Sequence, residues 1–299
     1  MPENHELRVE DVTDALIDSN PLISLWEKRE KIMNKILILI MASTFLLISV
    51  AFASSIGDPK TQGQYKFGLG LDQEVIYRRD LEFRSTDLEL LRVPGGLLPV
   101  ETDKLEIDEG YRTVIKVSFG FLSWLDMYAK LGVNTYEAET DFKALGTPFA
   151  DLKTKAKWDF SFGGGLKMAH TFKNGAFIGG DIQYIRQKQD LKGSTRLFGT
   201  PLVTRLEGKD TWQEWHVASC VGYNIKNFLP YVGVRYSDVR LKTTIAAPGS
   251  TFGGEIEFKA DNHFGTFLGL VYKIGDFSLN VEGRFVDETA LSLGVMYQF

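Results

Sequence analysis

The chain has 299 residues, 12% of them aromatic and 29 of them glycine, with a net charge of −5 and a mean hydropathy of −0.10. That balance excludes a bundle of membrane helices, which would be strongly apolar overall, and a chain that binds nucleic acid through its charge. The single cysteine, Cys220, excludes a disulfide framework and a thiolate metal cluster.

Residues 1–32 are acidic and patterned for neither export nor a core, and they read as a non-native extension or a long n-region ahead of a start at Met33. Residues 33–53 read as a signal peptide. Lys28, Arg29, Lys31 and Lys35 precede the apolar run Ile36 to Ala53, which ends in Ala51-Phe52-Ala53. Basic n-region, apolar h-region and small-residue site predict cleavage between Ala53 and Ser54. The alternative is an uncleaved anchor, since about 18 apolar residues just span a bilayer. Removing residues 1–53, with their eight acids and five bases, brings the net charge to −2. Residues 54–63 are expected as a short periplasmic segment, and residues 64–299 as the folded domain.

From Gln64 onward apolar and polar residues alternate over stretches of roughly ten residues, the period of strands with two different faces. The opening strand runs from Gln64 to about Arg78. In Tyr111 to Leu122, Ile115, Val117, Phe119 and Phe121 alternate with Lys116, Ser118 and Gly120. Leu125 to Glu139 sets Met127, Ala129, Leu131 and Val133 against Tyr128, Lys130, Gly132 and Asn134. Trp158 to Thr171, Gly175 to Lys188, Thr211 to Ile225, Leu229 to Thr244 and Asp261 to Ile274 repeat the pattern. Phe277 to Phe285 and Leu291 to Phe299 close it, giving ten strands, with eight or twelve also compatible.

Short turns near Ser123-Trp124, Lys173-Asn174-Gly175, Lys226-Asn227 and Gly275-Asp276 alternate with long polar links at residues 80–110, 140–157, 189–210 and 246–260. Only the final hairpin, turning at Asp287-Glu288, is short where a long link is expected. Strands of this length exceed the usual soluble strand and match a tilted membrane span. Aromatic residues near the strand ends suit membrane interfaces. The polar face carries Lys116, Lys130, Asp159, Lys167, Asp181, Glu214, Arg235, Glu282 and Arg284, expected to point into a lumen. The fold expected is all-β: an antiparallel, up-and-down β-barrel that spans a membrane and closes on itself, because lipid cannot satisfy an open sheet edge.

Export segment, alternating strands and the terminal series Leu291, Leu293, Val295, Tyr297 and Phe299 together resemble the Gram-negative outer-membrane β-barrel superfamily, especially its small members of eight to ten strands. The resemblance covers residues 64–299. It implies outer-membrane lipid as surroundings and recognition of the C-terminal series by the barrel-assembly machinery. It is silent about activity. Some members are enzymes, among them the ten-stranded omptin-like proteases, which use acidic residues and a His at the outer rim. Here His170 falls at the wrong end, His216 and His263 face inward where they could meet Glu214, and the paired acidic motifs are missing. A lipid-modifying site needs a nucleophile and a His in reach of each other, and Ser118, Ser161, Ser219 and Ser292 have no recognisable motif. The expectation is therefore no catalytic residue, cofactor or metal, no nucleic-acid partner, and an external ligand that the sequence does not name. Three roles remain in view: a structural or narrow porin-like barrel with a self-paired lumen, a surface adhesion or recognition barrel working through its external loops, and a barrel enzyme.

Overall fold

The structure, a computed structural model, describes residues 56–86, 92–93, 96–97, 100–102, 104–144, 147–197, 200–246 and 253–299. The expected signal peptide and its cleavage residues Ala51, Ala53 and Ser54 lie outside the described residues, as do most of the links' tips.

Among the described residues fifteen strands run in chain order: β1 (Phe67–Thr86), β2 (Arg92–Val93), β3 (Gly96–Leu97), β4 (Val100–Thr102), β5 (Leu105–Leu122), β6 (Leu125–Ala144), β7 (Thr147–Ala156), β8 (Asp159–Thr171), β9 (Ala176–Leu197), β10 (Thr200–Tyr223), β11 (Phe228–Ala246), β12 (Gly253–Ala260), β13 (Phe264–Ile274), β14 (Phe277–Phe285) and β15 (Thr289–Gln298). Strands β2, β3 and β4 are short pieces of the link after β1. The other twelve form a closed antiparallel ring in which β7 with β8, and β12 with β13, each fill a single position. Twelve segments thus occupy ten positions. Strand β15 closes the ring on β1, from Gly68 opposite Gln298 to Arg78 opposite Thr289. Phe67 and Phe299 exchange backbone hydrogen bonds of 3.0 Å at the seam.

The faces explain why the chain alternates. Leu131, Phe160, Val217, Val234 and Leu268 are exposed on the outer wall, between two aromatic girdles. The lower girdle, beside the short turns, includes Tyr65, Trp124, Phe172, Tyr223, Phe228 and Phe299; the upper includes Tyr77, Trp158, Trp215, Tyr236, Phe264 and Phe285. An apolar wall between rings of aromatic side chains is what a bilayer selects.

Above the upper girdle the strands continue as hairpins and the faces invert. Along β6 the inner face passes from Asp126, Lys130 and Asn134 to Tyr136, Ala138 and Phe142, all buried. On its outer face Met127 and Leu131 give way to Glu137 and Glu139, which pair with Lys155 and, at 2.5 Å, with Lys153. Inside this extension Leu81, Ile107, Leu191, Trp212, Leu241 and Phe258 belong to one apolar core. Outside it, Arg84 pairs with Glu257 at 2.7 Å and Lys242 with Glu255 at 2.6 Å. Water replaces lipid as the outer medium, so the apolar face turns inward. The links expected as polar loops are in large part these strands.

Residues 56–63, expected as a short periplasmic segment, lie in the barrel's lower mouth. Residues 56–59 are buried there. A Cβ on Gly120 would stand 1.8 Å from the Gly63 carbonyl oxygen, so only glycine lets the segment approach the wall.

Candidate functional site: the charged lumen

Alternation on each membrane-spanning strand carries polar side chains inward, where neighbouring strands bring them within reach of one another. Of the lumen charges expected from sequence, Lys116, Lys130, Lys167, Asp181, Glu214, Arg235, Glu282 and Arg284 are each 4% exposed or less. Asp159 is half-buried at the break between β7 and β8, and its Oδ1 accepts a 2.7 Å bond from the Phe160 N–H.

The upper lumen holds a continuous ion network. Arg79 binds Glu214 at 2.5 Å and Glu288 at 2.9 Å, and donates to Ser237 Oγ at 2.7 Å. Glu288 also meets Arg235 at 2.7 Å and Arg284 at 3.1 Å. Asp287 accepts from Arg235 Nε at 2.8 Å, and Arg284 also contacts Glu74. Glu214 accepts from Trp212 Nε1 at 3.1 Å, lies 3.6 Å from Arg112, and sits 2.8 Å from His216 Nε2. Ion pairs so thoroughly removed from water persist only where each charge has several partners.

The lower lumen is more loosely coupled. The Tyr128 hydroxyl donates to Asp181 at 2.8 Å, Lys116 lies 4.2 Å from the Tyr128 ring centre, and Lys130 donates to Gln183 at 2.9 Å. The Tyr231 hydroxyl lies 2.9 Å from Glu282 Oε2. Lys167 donates to the Ile56 carbonyl at 2.7 Å and also contacts that of Asp58, which ties the lower wall to the N-terminal segment.

Glu214, Arg235 and Arg284 are thus joined by Glu74 and Arg112, which share the inward phase of Asp72 and Lys116, and by Arg79, Asp287 and Glu288, which alternation did not place among them. A register shift between Ile76 and Arg78 reverses the face of β1, so Arg79 points inward. Asp287 and Glu288 occupy the final hairpin's turn. There Val286 takes a positive φ of 85°, and both acids are buried, at 5% and 4% exposure. A sharp turn in place of the long link was the available signal.

The His residues separate. His216 is buried between Glu214 and Gln183, whose Nε2 lies 3.3 Å from His216 Nδ1. His263 is half-buried, with Nδ1 2.9 Å from the Ser237 carbonyl oxygen, and His170 is exposed beside Phe172. Ser237 pairs with His216 across β10 and β11, yet its hydroxyl is engaged by Arg79. Among the described residues no group of three His, Cys, Asp or Glu is arranged to hold a metal.

Within the extension, burial pushes the Asp210 carboxyl up to about 7, partly offset by a hydrogen bond from Thr243, its cross-strand partner. The C-terminal residues Leu291, Leu293 and Val295 point outward on β15. Tyr297 and Phe299 belong to the lower girdle, with Tyr297 4.7 Å from the Phe277 ring and Phe299 6.1 Å from that of Phe67.

No protein-family model matches the chain, and no curated protein matches it in sequence. Among solved structures it is similar to the outer-membrane protease OmpT of Escherichia coli, with a TM-score of 0.50 and 9% identity over 80% of this chain and 98% of that one. The outer-membrane protein OprG of Pseudomonas aeruginosa aligns with a TM-score of 0.35 and 13% identity, over 80% of this chain and 99% of that one. The toluene transporter TodX of Pseudomonas putida aligns with a TM-score of 0.37 and 10% identity, over 84% and 95%. The likeness to OmpT is one of fold, that of an outer-membrane β-barrel.

Proposed function

We propose that the chain is a non-catalytic, structural outer-membrane barrel whose lumen is held shut by its own charges. The observation that carries this is the network in which Glu288 touches three guanidinium groups, those of Arg79, Arg235 and Arg284, drawn from strands on different sides of the lumen. Charges that neutralise one another across a small barrel fill it rather than line a path through it. The apolar core of the extension above and the N-terminal segment below support the same reading. Glu214 and His216 are bound into the network and buried, so this acid–His pair is not presented to a substrate at the rim. Entry into the membrane is assigned to recognition of Leu291, Leu293, Val295, Tyr297 and Phe299 by the barrel-assembly machinery.

Planar-bilayer recording of the refolded mature protein tests this. No unit conductance is expected, and none for Lys116→Gln; a steady ohmic pore whose ion selectivity changes in Lys116→Gln would establish the narrow porin instead. A second reading, recognition at the cell surface, is favoured by the extension itself, because hairpins standing on their own apolar core form a rigid platform. Deletion of residues 140–154 leaves the membrane-spanning wall intact and is expected to abolish any surface binding.

A further inference from the structure

On much of the extension's outer wall the bases are taken up by acids. Lys104 meets Asp261 at 2.5 Å, Lys153 meets Glu139 at 2.5 Å, Lys155 meets Glu137, and Arg78 lies 3.0 Å from Glu106. The sector formed by β9, β10 and β11 departs from this. There Gln213 stands opposite both Arg186 and Arg240, and Thr211, the next outward residue up, stands opposite both Lys188 and Lys242.

The acids around this sector do not neutralise it. Arg186 has Phe162 and Gln213 across the ladder and Tyr184 and Lys188 along its own strand, none of them acidic. Its Nε is buried and has no hydrogen-bond partner among the described residues. Lys188 is exposed, and its one acidic neighbour on β9, Asp190, is engaged by Lys157 at 3.3 Å and has Lys209 opposite it. Arg240 faces Lys259 across β12 and lies 3.9 Å from Asp238, its single acidic neighbour along β11. Lys242 is matched by Glu255 at 2.6 Å.

The height of the sector decides what it meets. Tyr184 and Trp215, whose ring centres are 4.7 Å apart, occupy the rung directly below Arg186 and Gln213 in the upper girdle. Successive outward residues are about 6.8 Å apart along a strand, so the cations begin one step beyond the girdle. Below it the exposed side chains of Ile182 and Val217 continue the apolar wall. Apolar strip, aromatic pair and cations in that order match an amphiphile with hydrocarbon chains and an anionic head. Arg186 and Arg240 flank the uncharged Gln213 at a backbone separation of about 10 Å across three strands, close enough for two guanidinium groups to converge on one phosphate, the anion their planar donor sets fit best.

We propose that this sector is a seat for a phosphate-bearing lipid of the surrounding membrane. Arg186 and Arg240 close on the headgroup phosphate, Lys188 supplies a further ammonium, and the chains run down over Ile182 and Val217. The proposal rests on the lipid-facing reading of the outer wall and is independent of whether the lumen conducts.

The test is native mass spectrometry of the refolded barrel titrated in dodecylmaltoside micelles with phosphatidic acid, or with diacylglycerol of the same chains. Wild type is expected to bind phosphatidic acid at least about tenfold more tightly, and the triple variant Arg186→Gln, Lys188→Gln, Arg240→Gln is expected to lose that preference. A second triple, Lys104→Gln, Lys153→Gln, Lys155→Gln, removes as many positive charges from paired positions and is expected to keep it. A preference unchanged in the first triple would overturn the proposal, and so would one lost equally in the second, which would assign binding to net charge alone. Inorganic phosphate at the same concentration is expected to leave the lipid bound; displacement would overturn the lipid as occupant. Heat-modifiable mobility reports folding of each variant. Should the first triple fail to fold, Lys188→Glu alone is expected to cut the preference severalfold, and no change in it would overturn the proposal.

Discussion

Glu288 is the residue on which the upper lumen turns. Replacing it with Ala leaves Arg79, Arg235 and Arg284 facing one another with a carboxylate missing. Breaking a buried pair from one side costs about 3–5 kcal/mol, so Glu288→Ala is expected to lower the urea midpoint of the folded barrel on a heat-modifiability gel by a corresponding amount. Retention of the wild-type midpoint would mean that water enters the lumen and screens the arginines. Gly265 tests the same network by geometry. A Cβ there would stand 1.9 Å from Asp287 Oδ1, forcing that acid away from Arg235. Gly265→Ala is expected to destabilise by about 1–3 kcal/mol, with little further effect when Asp287 is already Ala.

At the scale of the element, the inverted faces of the extension make its stability depend on pH. Burial pushes the Asp210 carboxyl up to about 7 in the folded hairpins, from an ordinary carboxylate value of 3.8 when exposed. Between those values the unfolded chain releases a proton that the folded chain keeps, so stability falls as pH rises from about 4 to 7 and then levels off. Asp210→Asn is expected to flatten this dependence and to stabilise the hairpins at pH 8 by on the order of 1 kcal/mol or more. Amide hydrogen exchange of residues 206–211 and 241–246 at pH 5 and pH 8 reads it; an unchanged pH slope in the variant would assign the effect elsewhere. Strand β15 carries a second prediction. Its outward series ends in Phe299, whose backbone closes the seam with Phe67. Phe299→Asp is expected to cut the amount of heat-modifiable barrel in the outer membrane severalfold while leaving synthesis unchanged, as a pulse-chase of the membrane fraction would show.

For the whole molecule, three different fillings occupy the interior in sequence: the N-terminal segment, the charged lumen and the apolar core of the extension. Each matches its own demand. The middle layer lies within the lipid band, where the outer face must be apolar and polar groups have only one another as partners. The upper layer stands in water and folds as soluble sheets do. A barrel with these three layers is expected to exchange its mid-strand amides far more slowly than the hairpin ends, and salt is expected to loosen the exposed pairs such as Lys153–Glu139 without opening the lumen. Raising salt from 0.1 to 1 M should leave conductance at zero; a pore that opens with salt would show that the charges, not the packing, are the only barrier.

Period-2 alternation, with apolar residues such as Leu131 and Phe160 on one phase and Lys130 and Ser161 on the other, determined by itself that the chain forms long two-faced strands and which face most of their residues take. Strand ends rich in aromatics and the terminal series to Phe299 carry the resemblance to outer-membrane barrels. Local pattern suffices there because the bilayer imposes the same demand on every strand. The tertiary structure alone decided what the interior contains. The bulge after Ile76 turns Arg79 inward, the final turn buries Asp287 and Glu288, and the links become strands once an apolar core forms among Trp212, Leu241 and Phe258. Each of these depends on partners from other strands, as with Arg79 and Glu288, 209 residues apart, or on a one-residue shift of register, and neither leaves a periodic trace in sequence.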